Sequence, residues 1–130
     1  MIRNGQLVYV EHKSSPGNAG RAWITRARVS KSGRTMYFDG RALTRSTGGG
    51  ISGNHHCLET GDEFWISGVK LDGRDRHWGT PGPVMVDPQV VEEYLALRGL
   101  AALDPRTHPL AADIRPTDVQ RFHRQANEPL

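Results

Sequence analysis

The side chains best suited to chemistry in this chain fall in two short runs, His55-His56-Cys57 and Arg74-Asp75-Arg76-His77-Trp78. Imidazole and thiolate suit zinc, and His77 or Asp75 would complete a tetrahedral set. Adjacent residues of a strand face opposite ways, however, so only His55 and Cys57 can share a side. Neither CxxC nor HxxxH spacing supports them. No metal and no other cofactor is expected, and Cys57, the one cysteine, reads as a small buried hydrophobe with no decisive base partner.

The run Arg74 to Trp78 combines cations, a carboxylate, an imidazole and an aromatic, the inventory of a phosphate or nucleotide site. An Asp75–Arg ion pair at a turn, with Trp78 in the core, is an equally good account. Glu11, Glu63 and Asp75 form an acid–base set only if the fold gathers them; otherwise they are surface carboxylates. The glycine-rich run from Gly48 to Asn54 lacks the Gly-Lys-Ser/Thr ending of a phosphate loop, and no helix is predicted after it to lend its dipole. It reads as a flexible connection. Trp23, Tyr37, Trp65 and Trp78 could stack on bases, but a small core absorbs most of them, so Tyr37 or Trp78 is the expected exposed face.

Charge is the strongest functional signal. The chain has 17 Lys and Arg against 14 Asp and Glu, a net of +3. Within the first fifty residues, Arg3, Lys13, Arg21, Arg26, Arg28, Lys31, Arg34, Arg41 and Arg45 face only Glu11 and Asp39, a local net of +7. Residues 51–86 and 87–130 each net −2. So basic a segment faces a polyanion or an acidic surface. It can also be a solvated face that keeps strand edges from aggregating.

These residues must be positioned by short elements. With 130 residues, 15 Gly, 8 Pro and a mean hydropathy of −0.57, the chain predicts one small-cored domain of short elements joined by turns. β-Branched and aromatic residues predict strands over 6–13, 22–30, 34–38 and 63–69, with a short one over 41–45 and Arg76-His77-Trp78 pairing back beyond the turn at Gly73. The turn Lys31-Ser32-Gly33-Arg34 makes 22–38 a hairpin with a basic tip. Ser14-Ser15-Pro16-Gly17-Asn18 is a loop. Asp87-Pro88 opens a helix that Gly99 stops, placed to plug an open end or side of the sheet. Residues 100–116 read as an extended linker, and Thr117-Asp118-Val119-Gln120 begins a short helix running to about Gln125.

Several segments carry a family likeness: Val8-Tyr9-Val10-Glu11-His12-Lys13, Pro16-Gly17-Asn18-Ala19, Ala22-Trp23-Ile24, Ser30-Lys31-Ser32-Gly33-Arg34-Thr35, Glu59-Thr60-Gly61, Trp65-Ile66-Ser67-Gly68 and Gly73-Arg74-Asp75-Arg76-His77-Trp78. Over residues 1–98 the chain resembles a family of small bacterial proteins with no established activity. The resemblance implies a bacterial, cytoplasmic single domain. It breaks at His55-His56-Cys57, where that family carries an aromatic and an acidic residue, and in the tail.

The sequence thus predicts a mainly β fold, a small strongly bent sheet or barrel of the Src-homology-3 type over residues 1–99, with a C-terminal helix and a loosely attached extension over 100–130. The single cysteine, the absence of a secretory h-region and the absence of a long apolar run predict a cytoplasmic protein with no membrane partner. The expected function is non-catalytic binding of nucleic acid, DNA or RNA, through Arg26, Arg28, Lys31 and Arg34, with Tyr37 or Trp78 as stacking face. The alternatives are an adaptor that takes an acidic or extended protein partner at a sheet edge, and an enzyme acting on a phosphorylated or nucleotide substrate at Arg74–Trp78.

Overall fold

The computed structural model describes residues 2–13, 20–47 and 53–126. The loop expected at 14–18 and most of the glycine-rich run, 48–52, lie outside the described residues. Seven strands, β1 (Leu7–His12), β2 (Ala22–Arg26), β3 (Thr35–Phe38), β4 (Arg41–Arg45), β5 (His55–Cys57), β6 (Glu63–Gly68) and β7 (Met85–Val86), form one strongly curled sheet in the order β3-β4-β5-β6-β1-β2-β7. The fold is mainly β and barrel-like, as composition and alternation predict. Asp39 and Gly40 make the two-residue turn between β3 and β4 with φ of 51° and 72°, the left-handed conformation that a type I′ hairpin requires at both positions.

The chain between Ala22 and Phe38 differs from a simple hairpin. β2 pairs with β1 and β7, whereas β3 pairs with β4. Only the continuation of β2 reaches β3: Tyr37 and Ser30 donate their amides to the carbonyls of Arg28 and Thr35, each at 2.8 Å, around a bridge between Val29 and Met36. One strand bends to serve both edges, and the bend after Arg26 curls the sheet on itself. Arg76-His77-Trp78, expected as a strand, instead forms a 3-10 turn over His77–Gly79, because the His77 amide is drawn towards a buried carboxylate.

Alternation along the strands divides the apolar residues between two sides. Val8, Val10, Trp23, Met36, Phe38, Leu43, Cys57, Phe64 and Ile66 fill the interior of the curl. On the outer face of β1 and β2, Tyr9, Ala22 and Ile24 pack beneath Val84, Val86, Val90 and Tyr94. The covering helix begins as a 3-10 turn at Pro88–Val90, with Asp87 accepting from the amide of Gln89, and continues as α1 (Val91–Arg98). It ends at Gly99, whose φ of 66° is the left-handed cap that glycine adopts without strain. The helix therefore covers a side of the sheet rather than an end.

The extension is irregular up to residue 118 but held in place. Val84 and Val86 donate to the carbonyls of Thr107 and Pro109, and Ala111 donates back to Val86, so residues 107–111 line the free edge of β7. Asp39 accepts from the amide of Arg115, and the Gly40 amide donates to the Thr117 hydroxyl. The last helix, α2 (Val119–Ala126), seats a fully buried Phe122 against Tyr37 and Ala42. Phe122→Ala should therefore destabilise the protein by about 3–5 kcal/mol, measured by denaturant unfolding. A change within error would mean that the tail is as loosely attached as its composition suggests.

Candidate functional site

Tyr9 and Glu11 on one face of β1, with Lys13 just past its end, keep the period of two and build a buried ionic centre. Glu11 is fully buried. Its Oε1 accepts from the Tyr9 hydroxyl and from the His77 amide at 2.9 Å; its Oε2 accepts from Lys13 Nζ at 2.7 Å and from the Thr80 hydroxyl at 3.0 Å. The Arg76 guanidinium lies 3.9 Å away. Burial pushes the carboxyl up, but the bonds from Lys13, Tyr9, His77 and Thr80 together outweigh it and hold Glu11 below its ordinary range. A carboxylate offers about four lone-pair sites, so this one has no acceptor capacity to offer a substrate. Tyr9 is pushed up by burial and by its bond to Glu11, and it stays protonated.

Above this centre lies an aromatic stack. The His77 ring sits on Trp65 with centroids 3.7 Å apart, and Trp78 sits on His77 at 4.6 Å. Lys13 Nζ is 5.4 Å from the Trp78 ring centre and donates to the His77 carbonyl. Burial and the Lys13 charge hold His77 below its usual value, so the ring is neutral near pH 7. Trp78 itself is 63% exposed. The remaining members of the run are spread around it. Arg76 donates to the carbonyls of Gly20, Gly82 and Pro83, and Arg74 is exposed beside Asp72. Asp75 is buried, with Oδ1 on the Lys70 amide, and is pushed up by that burial. Glu11, Asp75 and His77 thus share a region, but the clefts described below are lined by other residues.

The basic hairpin is only partly as expected. Arg26 pairs with Glu93 of α1 and bonds to the Gly5 carbonyl, so it is committed to the helix. Tyr37 is 5% exposed beneath α2 and offers no stacking face; the sequence holds no sign that the tail returns to cover it. Arg28, Lys31 and Arg34 are exposed. Arg45 and Arg3, both of the basic segment, join them. The turn at Asp39-Gly40 fixes the β3–β4 register, which sets Arg45 opposite Arg34 through a 2.9 Å amide-to-carbonyl bond. Arg3 lines a cleft of about 550 Å³ with Ile2 and Lys31. A neighbouring cleft of about 200 Å³ shares Ile2 and Gly33 and adds Arg45 and His55. Among the described residues, no acidic side chain lines either cleft. Burial, and then the Arg45 and His56 charges, hold His55 down to about 4.

His55 and Cys57 do share the buried side of β5, with His56 between them bonded to Ser46. His55 bonds to Asn54 and Cys57 packs in the interior. Among the described residues, no group of three His, Cys, Asp or Glu side chains is placed to hold a metal ion, and no helix is long and apolar enough to cross a membrane.

No family model, no curated protein and no solved structure matches this chain. The likeness to a family of small bacterial proteins rests on sequence segments alone and brings no activity with it.

Glu11→Gln should cost about 3–5 kcal/mol, because it leaves the Lys13 ammonium buried without its counter-charge; adding Lys13→Met should recover much of the loss. Since folding lowers the Glu11 value, its contribution is complete above the unfolded value near 4.5 and is lost as pH falls through the lower folded one. Urea unfolding of the parent should therefore weaken below about pH 4.5, and the variant should lose that part of the slope.

Proposed function

We propose that the protein is a non-catalytic nucleic-acid-binding module whose basic end, formed by Arg3, Arg28, Lys31, Arg34 and Arg45, contacts phosphates. The observation that carries this reading is the pair of adjoining clefts at the hairpin tip, lined by Arg3, Lys31 and Arg45 with no acidic side chain among the described residues. Other cations of the basic half already have partners: Arg21 with Asp113, Arg26 with Glu93 and Arg41 with Asp39. Arg28, Lys31, Arg3 and Arg45 have no ion pair among the described residues. Cations left in solvent at one end of a small domain are the footprint of phosphate contact rather than of structure. We read the barrel as one of the Src-homology-3 type, and the protein as bacterial and cytoplasmic, in keeping with its single buried thiol.

The two alternatives draw less support. An adaptor taking an extended strand needs an open sheet edge, whereas residues 107–111 line β7 and residues 28–30 line β3. An enzyme at Arg74–Trp78 could not use Glu11, whose lone pairs are already taken; His77 and Asp75 remain as bases, but neither lines the basic clefts.

The test is a salt titration. The parent should bind DNA or RNA at about 50 mM salt, with log affinity falling linearly in log salt. Replacing Arg28, Lys31, Arg34 and Arg45 together by Ala should weaken binding to all sequences alike and flatten the slope by up to ~0.9 for each duplex phosphate that is no longer neutralised. The fold should be retained, because these side chains lie in solvent. Failure of the parent to bind any nucleic acid at that salt would end this reading in favour of an acidic protein partner.

A further inference from the structure

Trp78 has two properties that the core does not explain. Its φ of 58° puts a bulky residue in the left-handed region, where a bulky side chain is an outlier. The same residue is 63% exposed, although indole is among the largest apolar side chains. Strain of this kind persists only where the surroundings enforce it. Here they do, since Glu11 grips the His77 amide and the Thr80 hydroxyl on either side of Trp78, and His77 and Trp65 are stacked beneath it. The Lys13 side chain is fully buried, so it lies with His77 on the protein side of the indole. The opposite face is the one turned to solvent.

A rigid, pre-stacked, outward indole face is a platform for another flat ring. We propose that Trp78 stacks on an unpaired nucleobase, which makes the protein a single-strand rather than a duplex binder. The inference rests on the nucleic-acid reading and adds its substrate class. Geometry connects the two surfaces. The basic clefts reach Gln6, just before β1, while Lys13, against the Trp78 ring, follows its end, so about 23 Å of extended chain lies between Gln6 and Lys13. At 3.4 Å per stacked nucleotide, a strand of about seven or more nucleotides is needed to engage both. Bases inside a duplex cannot reach the indole, and stacking of this type is indifferent to sequence.

The experiment measures affinities for oligothymidylates of about three and about ten nucleotides, an abasic decamer and a duplex of equal length, at about 50 mM salt, with tryptophan fluorescence as a second readout. The parent should prefer the decamer to the trimer, to the abasic strand and to the duplex, and its fluorescence should be quenched by the decamer. Trp78→Ala should lose roughly 5- to 150-fold on the decamer, lose the quenching, and leave the abasic and duplex affinities unchanged. Trp78→Phe should restore most of the loss, which a merely structural effect would not produce. If the decamer and the abasic strand bind the parent equally, or if Trp78→Ala leaves decamer affinity unchanged, the stacking proposal is overturned while the basic-end reading stands. If the parent binds none of the four, both fall together.

Discussion

The buried Glu11 carboxylate is the constraint on which the rest of this structure turns. A charge taken fully out of water is tolerated only when opposite charge and hydrogen bonds replace its hydration. The donors come from two places, Tyr9 and Lys13 on the same strand and His77 and Thr80 more than sixty residues later. Satisfying one carboxylate therefore fixes where a remote loop sits, and Arg76 extends the same tie to Gly20, Gly82 and Pro83. An apolar residue at position 11 would remove the desolvation penalty, but nothing would then hold the amide of His77 or the indole that follows it.

The same logic recasts the charge asymmetry. A local net of +7 looks like an unsatisfied surface, yet Arg21 and Arg26 meet Asp113 and Glu93 of the C-terminal half, and Arg121 of α2 meets Glu59. Part of the imbalance between segments is complementarity between the strands and the C-terminal half folded over them. Each exposed pair contributes little to stability, about 0–1 kcal/mol, but together they align α1, the extension and α2 on the sheet. Once they are set aside, the residual positive charge is smaller and sharper, confined to one end of the curl.

What was legible in the sequence was local. Period-two alternation gave β1, β2, β3 and β6, and Asp87-Pro88 and Gly99 bounded the helix. What was not legible depended on contacts between distant segments. Tyr37 has the composition of an exposed stacking residue, and only Phe122 arriving from the tail buries it. Trp78 reads either as core or as the exposed stacking face, and only the capture of its neighbours by Glu11 decides for the second. Residues 107–111 carry no strand signal because proline interrupts them, yet their backbone groups satisfy β7.

Among the described residues outside glycine, positive φ occurs only at Asp39 and Trp78, and the two have different physical accounts. Asp39 is a favoured type at a type I′ turn, and its carboxylate is satisfied by Arg41 and by the Arg115 amide. For Trp78 the turn offers no such compensation, since glycine or asparagine would fit the left-handed region with less strain. Stability alone would select against indole twice at that position, once for the backbone and once for the exposed apolar face. A residue disfavoured on both counts, yet held rigidly by a saturated buried carboxylate, is the kind of local conflict that folded proteins keep where a surface has work beyond folding. The conflict is also one-sided: the ionic centre that enforces it is fully buried, whereas the indole it holds is the most exposed member of the stack.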